Sequence, residues 1–124
     1  MENEISNQII GCALKAHRHL GPGLPESVYQ NILAHELRES GLSVETEIVV
    51  PVNYGGKVFE FGFRADIIVE KMVIIEVKSV ETVQAVHKKQ LLTYLKLTNL
   101  KLGLLLNFNT VLLKDGIVRI VNGL

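Results

Sequence analysis

Two largely apolar segments of the sequence are interrupted by charged side chains whose types and spacing could do chemistry. Glu76 and Lys78 fall within the segment 74–79, and Asp66 falls within the segment 63–69. Because side chains alternate between the two faces of a strand, Glu76 and Lys78 share one face and lie about 7 Å apart along it. Two carboxylates brought together in a half-buried place repel each other unless a proton or a cation intervenes. A hard divalent ion with oxygen ligands, Mg²⁺ or Mn²⁺, meets that requirement.

The face on which Asp66 lies depends on the connection between its strand and the next one. With an odd-length loop centred on Lys71, Asp66 lies across from Glu76 and Ile68 faces Ile74, whereas a two-residue turn places Asp66 on the opposite face. The simpler alternative is an ion pair between Glu76 and Lys78, with Asp66 capping a turn. The combination of three such residues on one expected face favours a site over that alternative.

The elements that must position these residues follow from hydrophobic periodicity. Helical spacing predicts helices over residues 3–19, 25–40 and 83–98. A period of two predicts strands over residues 44–52, 57–62, 64–70 and 72–79, a buried strand over 102–108, and a hairpin of 110–114 with 117–121. The order is ααββββαβββ, an α/β fold. Because a crossover helix precedes it, strand 102–108 is expected to lie parallel to a strand of the first sheet.

The composition fits a single domain over residues 1–124, with 48% hydrophobic residues for its core. The 13 basic and 13 acidic side chains balance, so no global field draws the protein to nucleic acid or to a membrane. The lone Cys12 cannot form an internal disulfide, which fits a reducing cytosol. The N-terminus lacks a signal-peptide pattern, and no apolar stretch approaches the roughly 20 residues that span a bilayer. A cytoplasmic protein without membrane contact is therefore expected.

Two patterns carry a resemblance to a known superfamily. Asp66, nine intervening residues and then Glu76-Val77-Lys78 resemble the motif of the PD-(D/E)XK nucleases, with Ala65 in the place of the motif's proline. Gln90-Leu91-Leu92-Thr93-Tyr94 resembles the Gln-x-x-x-Tyr signature of RecB-type members. Its i, i+4 spacing places both polar side chains on one face of a helix.

A third pattern is more specific. Gly23-Leu24-Pro25-Glu26-Ser27-Val28-Tyr29 matches the Gly-x-x-Glu-x-x-Tyr signature of the GxxExxY proteins, a compact branch of that superfamily. The similarity runs in order through nearly the whole chain, from Gly21-Pro22-Gly23 to the segment 102–108. It implies a restriction-endonuclease-like core, in which helices flank a mixed central sheet.

The resemblance also implies roles for individual residues. The implied metal ligands are three carboxylates and one backbone carbonyl, those of Glu26, Asp66, Glu76 and Val77. The implied catalytic residues are Asp66, Glu76, Lys78 and Gln90. Lys78 would orient or help to deprotonate the attacking water and offset the phosphate charge. Gln90 would form a hydrogen bond toward the site.

Four of the residues near this site keep a second interpretation. Glu26 begins a helix, where a carboxylate stabilises the N-terminal dipole by about 0.3–1 kcal/mol without any metal. Tyr94 either touches the site or a phosphate, or packs in the core. Tyr29 is expected to pack with its hydroxyl at the edge of the site. Arg64, two residues before Asp66 and expected on the same face, either meets a phosphate or pairs with an acid.

The expected function is metal-dependent hydrolysis of phosphodiester bonds in DNA or RNA. A strip formed by His87, Lys88, Lys89, Lys96 and Lys101 either follows a nucleic-acid backbone or is a solvated helix face. The alternative function is a non-catalytic nucleic-acid or protein interaction module; clustered buried acids argue against it because without chemistry they only cost stability. A small-molecule phosphoesterase is a third interpretation. The hydrophobic C-terminal hairpin either supports a homodimer or completes its own sheet.

Overall fold

The chain folds into a five-stranded mixed sheet with α-helices on both faces. The computed structural model describes residues 1–124, except for the side chain of Phe61. Its elements are α1 (Glu2–Leu20), α2 (Glu26–Glu39), β1 (Val44–Tyr54), β2 (Lys57–Val69), β3 (Val73–Lys78), α3 (Ala85–Thr98), β4 (Leu102–Asn107), a 3-10 turn (Leu113–Gly116) and β5 (Ile117–Val121). The strands lie side by side in chain order, and the predicted α/β class is confirmed.

Helices α1 and α2 cover one face of the sheet and enclose the main core. Odd-numbered residues of β3 and even-numbered residues of β4 face these helices, as period-two alternation requires. Tyr29 and Leu33 of α2 are fully buried there, and the Tyr29 ring stacks on Phe108 with 4.6 Å between ring centroids. α2 ends at Glu39, and the turn that follows passes through Gly41, whose φ of 91° is costly for any residue with a Cβ.

Helix α3 covers the opposite face over a smaller second core. Leu91 and Leu95 pack there against Ile74 of β3 and Leu105 of β4. Gly103 permits this approach, because a Cβ at that position would lie 2.9 Å from the Leu91 side chain. β3 and β4 are parallel, as the crossover through α3 predicted. Every other neighbouring pair in the sheet is antiparallel.

Two predicted strand features are wrong. The strands predicted over 57–62 and 64–70 form one continuous strand, because the irregularity near Gly62 is absorbed as a bulge. A Cβ on Gly62 would lie 2.2 Å from Val52 Cγ2, so this bulge requires glycine. Residues 110–114 form no strand with 117–121. Instead β5 pairs with β4, and a 3-10 turn at Leu113–Gly116 precedes it.

The two strands β1 and β2 extend beyond the rest of the sheet. The ladder between β2 and β3 covers only Ile67–Val69, whereas β1 and β2 pair along almost their whole length. Residues 48–64 therefore form a two-stranded ribbon, here called the arm. An isolated hairpin is marginally stable in water, so its root at Ile48 and Phe63 packs against the α3 core.

Candidate active site

Strand β3 places Glu76 and Lys78 on the α3 face of the sheet. Ile74 packs in the α3 core, so the side chains two and four residues further along point from the same face. Glu76 is only 8% exposed and Lys78 is half-buried. Strand alternation alone thus carries one carboxylate and one ammonium to the carboxyl end of a buried strand.

Asp66 approaches Glu76 from the neighbouring strand β2. Val69 pairs with Val73 and Ile68 with Ile74, so three residues form the loop and the odd-length alternative is confirmed. The ladder stops at Ile67, and from there the Val77 amide donates a hydrogen bond to Asp66 Oδ2 at 2.8 Å. The Asp66 side chain thus takes the place of the next backbone hydrogen bond between β2 and β3.

The β1–β2 pairing is irregular beside Asp66. The ladder skips the pair Glu47 and Asp66, and Glu47 has a φ of +49°. Ala65 and Ile68 both pack in the α3 core although they are three residues apart, so the strand changes its facing at Asp66. The expectation that Arg64 shares the face of Asp66 is therefore wrong. Arg64 is exposed and lies 3.9 Å from the Glu47 carboxylate.

The electrostatics of this cluster centre on Glu76. Burial, then the charge and hydrogen bonding of Asp66, raise the pKa of Glu76 to about 9, and the Lys78 ammonium only partly opposes this. Its Oε1 atom is buried without a hydrogen-bond partner. Two carboxyl groups this close cannot both ionise cheaply without a cation. The cluster is therefore built for a proton or a metal ion between its acids.

Glu26 reaches the same end of β3 from the opposite side of the sheet. It is exposed at the first turn of α2, and its Oε2 accepts a hydrogen bond from the Ser79 amide at 3.2 Å. Of the charges that act on Glu76, that of Glu26 is the weakest. Glu26 therefore borders the acid pair rather than joining it in this conformation.

A loop held by Tyr29 sets the position of Glu26. The Tyr29 hydroxyl accepts a hydrogen bond from the Leu24 amide at 3.1 Å and donates one to the Gly21 carbonyl at 2.5 Å. The Leu24 carbonyl in turn accepts a hydrogen bond from Ser79 Oγ at 2.6 Å. This explains the spacing of Tyr29 and Glu26, because the tyrosine closes the loop from which the glutamate emerges.

Tyr94 borders the acid pair from helix α3. Burial, and then the charges of Glu76 and Asp66, raise the pKa of Tyr94, so its hydroxyl lies within the field of these carboxylates. The ring is stacked on Phe63 of the arm, with 3.8 Å between ring centroids. Gln90, one turn earlier on the same helix, is exposed. Of this helical pair, Tyr94 is the one that the structure brings to the acids.

The family model of the PD-(D/E)XK nuclease superfamily matches residues 3–120 of the chain. The chain belongs to the PD-(D/E)XK nuclease superfamily. A search of curated proteins and a search of solved structures each gave no match. The GxxExxY branch is compatible with the matched range.

The oxygen donors at the site fit the hard divalent ion that PD-(D/E)XK nucleases generally use. Asp66 and Glu76 supply carboxylates, and the unpartnered buried Oε1 of Glu76 is an acceptor without any other purpose in the fold. Among the residues that the structure describes, no three acidic, histidine or cysteine side chains form a metal-binding group. The two acids of the pair lie together, whereas the Glu26 carboxylate is bound to the Ser79 amide.

Two residues that support the superfamily site were missed by sequence reasoning. Ser79 links β3 to the α2 loop through both its amide and its hydroxyl. Asn107, almost fully buried at the end of β4, brackets Val80 by accepting from its amide at 3.1 Å and donating to its carbonyl at 2.9 Å. A polar residue directly after the apolar run 102–106 was the available signal.

No helix in the described part of the chain has the length and apolar character needed to cross a bilayer.

Proposed function

We propose that this member of the superfamily is a metal-dependent nuclease that hydrolyses phosphodiester bonds in DNA or RNA. The observation that carries the proposal is the acid pair, of which Glu76 is buried and Asp66 is half-buried. Glu76 has an orphaned oxygen and a pKa of about 9 beside Asp66, with Lys78 on the same strand face. A fold without chemistry gains nothing from this arrangement, because an unpaired buried carboxyl only lowers stability.

Asp66 and Glu76 would hold one Mg²⁺ or Mn²⁺ ion, and the Val77 carbonyl and Glu26 lie at the same strand end to complete its shell. When bound, such an ion polarises a phosphate oxygen and lowers the pKa of a water molecule. The neutralised acid pair would then leave Lys78 as the free positive charge of the site. Its ammonium offsets the charge that grows on phosphate oxygens as the water oxygen bonds to phosphorus and the leaving oxygen departs.

The remaining polar side chains would position the substrate. Tyr94 presents its hydroxyl beside the acids, and Gln90 lies exposed on the same helix face, where it is free to contact a phosphate or water. The lysines Lys88, Lys89 and Lys96 of α3 are also exposed, and their positive charge would suit a polyanion.

A second candidate function is a non-catalytic nucleic-acid or protein interaction module. The position of Glu26 favours it, because this carboxylate is bound to the Ser79 amide instead of joining the acid pair. The two candidates differ in one measurable respect. Only the nuclease should cleave a labelled oligonucleotide when Mg²⁺ or Mn²⁺ is added.

The deciding experiment compares cleavage of single- and double-stranded DNA and RNA by the wild type, by Lys78→Ala and by Lys114→Ala. Lys114 is an exposed control on the 3-10 turn beside α1. Loss of one electrostatic contact to the transition state costs about 10²- to 10³-fold in rate, so Lys78→Ala should fall by that factor and Lys114→Ala should not. Absence of metal-dependent cleavage of all four substrates by the wild type would leave the interaction module as the function.

A further inference from the structure

The arm formed by residues 48–64 presents two chemically different faces. Partners across an antiparallel ladder share a face, and so do residues two apart on one strand. Val50 pairs with Phe63, Val52 with Phe59, and Tyr54 with Lys57. One face of the arm therefore carries, from root to tip, Phe63, Phe59, Lys57 and Tyr54. It is here called the aromatic face.

The aromatic face is continuous with the acid pair. At its root, Phe63 stacks on Tyr94, whose hydroxyl lies in the field of Asp66 and Glu76. Phe59 and Phe63 are four positions apart, an even number, so they lie on the same face. At the Gly62 bulge, three residues between them lie opposite the single Pro51. Phe59 and Val52 thus lie about 7 Å beyond Phe63 and Val50 along β1.

The aromatic face is open to solvent and carries positive charge. Phe59 is 47% exposed and Tyr54 is 77% exposed, more than a buried packing role explains. Lys57 Nζ lies 5.4 Å from the centroid of the Phe59 ring. The acid of the arm, Glu60, directly follows Phe59, so strand alternation assigns it to the opposite face. Arg64, which pairs with Val49 on that opposite face, lies 3.9 Å from the carboxylate of Glu47 just outside the arm.

We propose that the aromatic face of the arm binds single-stranded nucleic acid and leads it to the acid pair. The inference rests on the proposed nuclease function and specifies its substrate class. Open aromatic rings next to a lysine stack unpaired bases and attract their phosphates, a combination that single-strand binders use without sequence preference. The nearby catalytic acids supply the reason for such a surface.

The chemistry of the face also discriminates against a duplex. In double-stranded nucleic acid the base faces are stacked on one another, and a β-ribbon in the major groove reads base edges through polar side chains. The described side chains of this face offer only the Lys57 ammonium and the Tyr54 hydroxyl for that purpose. Flat rings have their complement in the exposed π-face of an unpaired base.

The test measures binding separately from cleavage. Fluorescence anisotropy in the presence of a chelator follows labelled oligo(dT), oligo(U) and a duplex, each of about 12 nucleotides, a length within the usual range for a single-strand site. Phe59→Leu keeps an apolar side chain and removes the ring. Val58→Ala is the matched control, because Val58 is 53% exposed at the next position and lies on the opposite face.

The expected result is that the single strands bind more tightly than the duplex. Phe59→Leu should weaken their binding roughly tenfold, as expected for loss of one stacking contact, and Val58→Ala should leave it within about twofold. Thermal melts establish that both variants are folded. Loss of binding by Phe59→Leu for DNA alone or RNA alone supports the proposal and identifies the polymer.

Three outcomes would overturn the inference. They are equal binding of single strands and duplex, equal affinity of wild type and Phe59→Leu, and a wild-type dimer that Phe59→Leu converts to a monomer, which would assign the face to a second copy of the chain. Each leaves the proposed function intact if metal-dependent cleavage persists. Conversely, ring-dependent binding without any cleavage would uphold the arm and refute the nuclease.

Discussion

The sheet has one face packed by α1 and α2 and another packed by α3, and the two are unequal. Among the described residues, sixteen apolar side chains are buried in the α1/α2 core and six in the α3 core. Two buried polar side chains of the larger core, Tyr29 and His17, have hydrogen-bond partners. The Tyr29 hydroxyl has two partners, and His17 Nε2 lies 3.1 Å from the Phe108 carbonyl oxygen. On the α3 face Glu76 Oε1 has none.

The difference indicates a division of roles, in which one face of the sheet stabilises the fold and the other carries the acid pair. A large apolar core supplies the free energy that keeps the chain folded. That reserve permits a strained carboxyl pair on the other face. Three measurements test this division.

The largest effect is expected in the α1/α2 core. Leu33→Ala removes a fully buried side chain of α2 and should lower the free energy of unfolding by about 2–5 kcal/mol. Leu95→Ala on α3 should cost less, because its smaller cluster at the edge of an open site can collapse around the cavity. Urea denaturation of both variants measures the two values. A larger loss for Leu95→Ala would reverse the proposed division.

A metal response should belong to the α3 face alone. At a concentration of 100 times its Kd, Mn²⁺ should stabilise the wild type by about 2.7 kcal/mol, which a thermal melt detects as a higher Tm. Glu76→Ala should lose most of that increment. His17→Ala should start from a lower Tm, since it loses contacts to Phe108 and Thr110, yet gain the same increment. An increment that survives Glu76→Ala would place the metal elsewhere.

The smallest effect is expected for the protonation of Glu76 without metal. Its pKa is about 9 in the folded protein against an ordinary 4.5, so between these values the folded state holds more protons than the unfolded state. The stability that protonated Glu76 contributes is then fully present below pH 4.5 and is lost as the pH rises toward 9. In a chelating buffer, Glu76→Gln should unfold like the wild type near pH 4.5 and be more stable by on the order of 1–3 kcal/mol near pH 8.5.

The control for this pH series lies on the other side of the molecule. The salt bridge of Glu36 with Lys15, 2.9 Å long, lowers the pKa of Glu36. Glu36→Gln should therefore lower stability at pH 8.5, the opposite sign to Glu76→Gln. Two variants with the same sign would mean that total charge, and not the local environment, controls the pH response.

Much of the fold was predictable because alternation along a strand is a local property. The positions of Glu76 and Lys78 on one face and the parallel pairing of β3 with β4 follow from periodicity and connection length. The odd-length loop was one of two alternatives that the sequence left open, and only the structure decides between them. The facing of Arg64 was not predictable, because it depends on the irregular pair Glu47 and Asp66. Nothing in the alternation of either strand alone reveals that irregularity.

The site was less predictable than the fold, since part of it depends on contacts between distant segments. Ser79 looks ordinary in the sequence, and Asn107 is marked only by its place after an apolar run. Ser79 acquires its role when the α2 loop reaches it, and Asn107 when β4 aligns with β3. The stack of Phe63 on Tyr94 likewise joins the arm to a helix 31 positions later. The predicted strand over 110–114 was wrong for the same reason, because β5 pairs with β4 and not with the segment 110–114 directly before it.

The hydrogen bond between the Val77 amide and Asp66 allows the site to be followed by NMR. Because the Val77 amide donates to Asp66 Oδ2 and not to a strand carbonyl, its proton senses the charge on that carboxylate directly. In a ¹H–¹⁵N NMR spectrum, the Val77 cross-peak should therefore move when the carboxylate is neutralised or bound. The peaks of Ile67 and Ile75, in the regular ladder next to it, provide a reference within the same two strands.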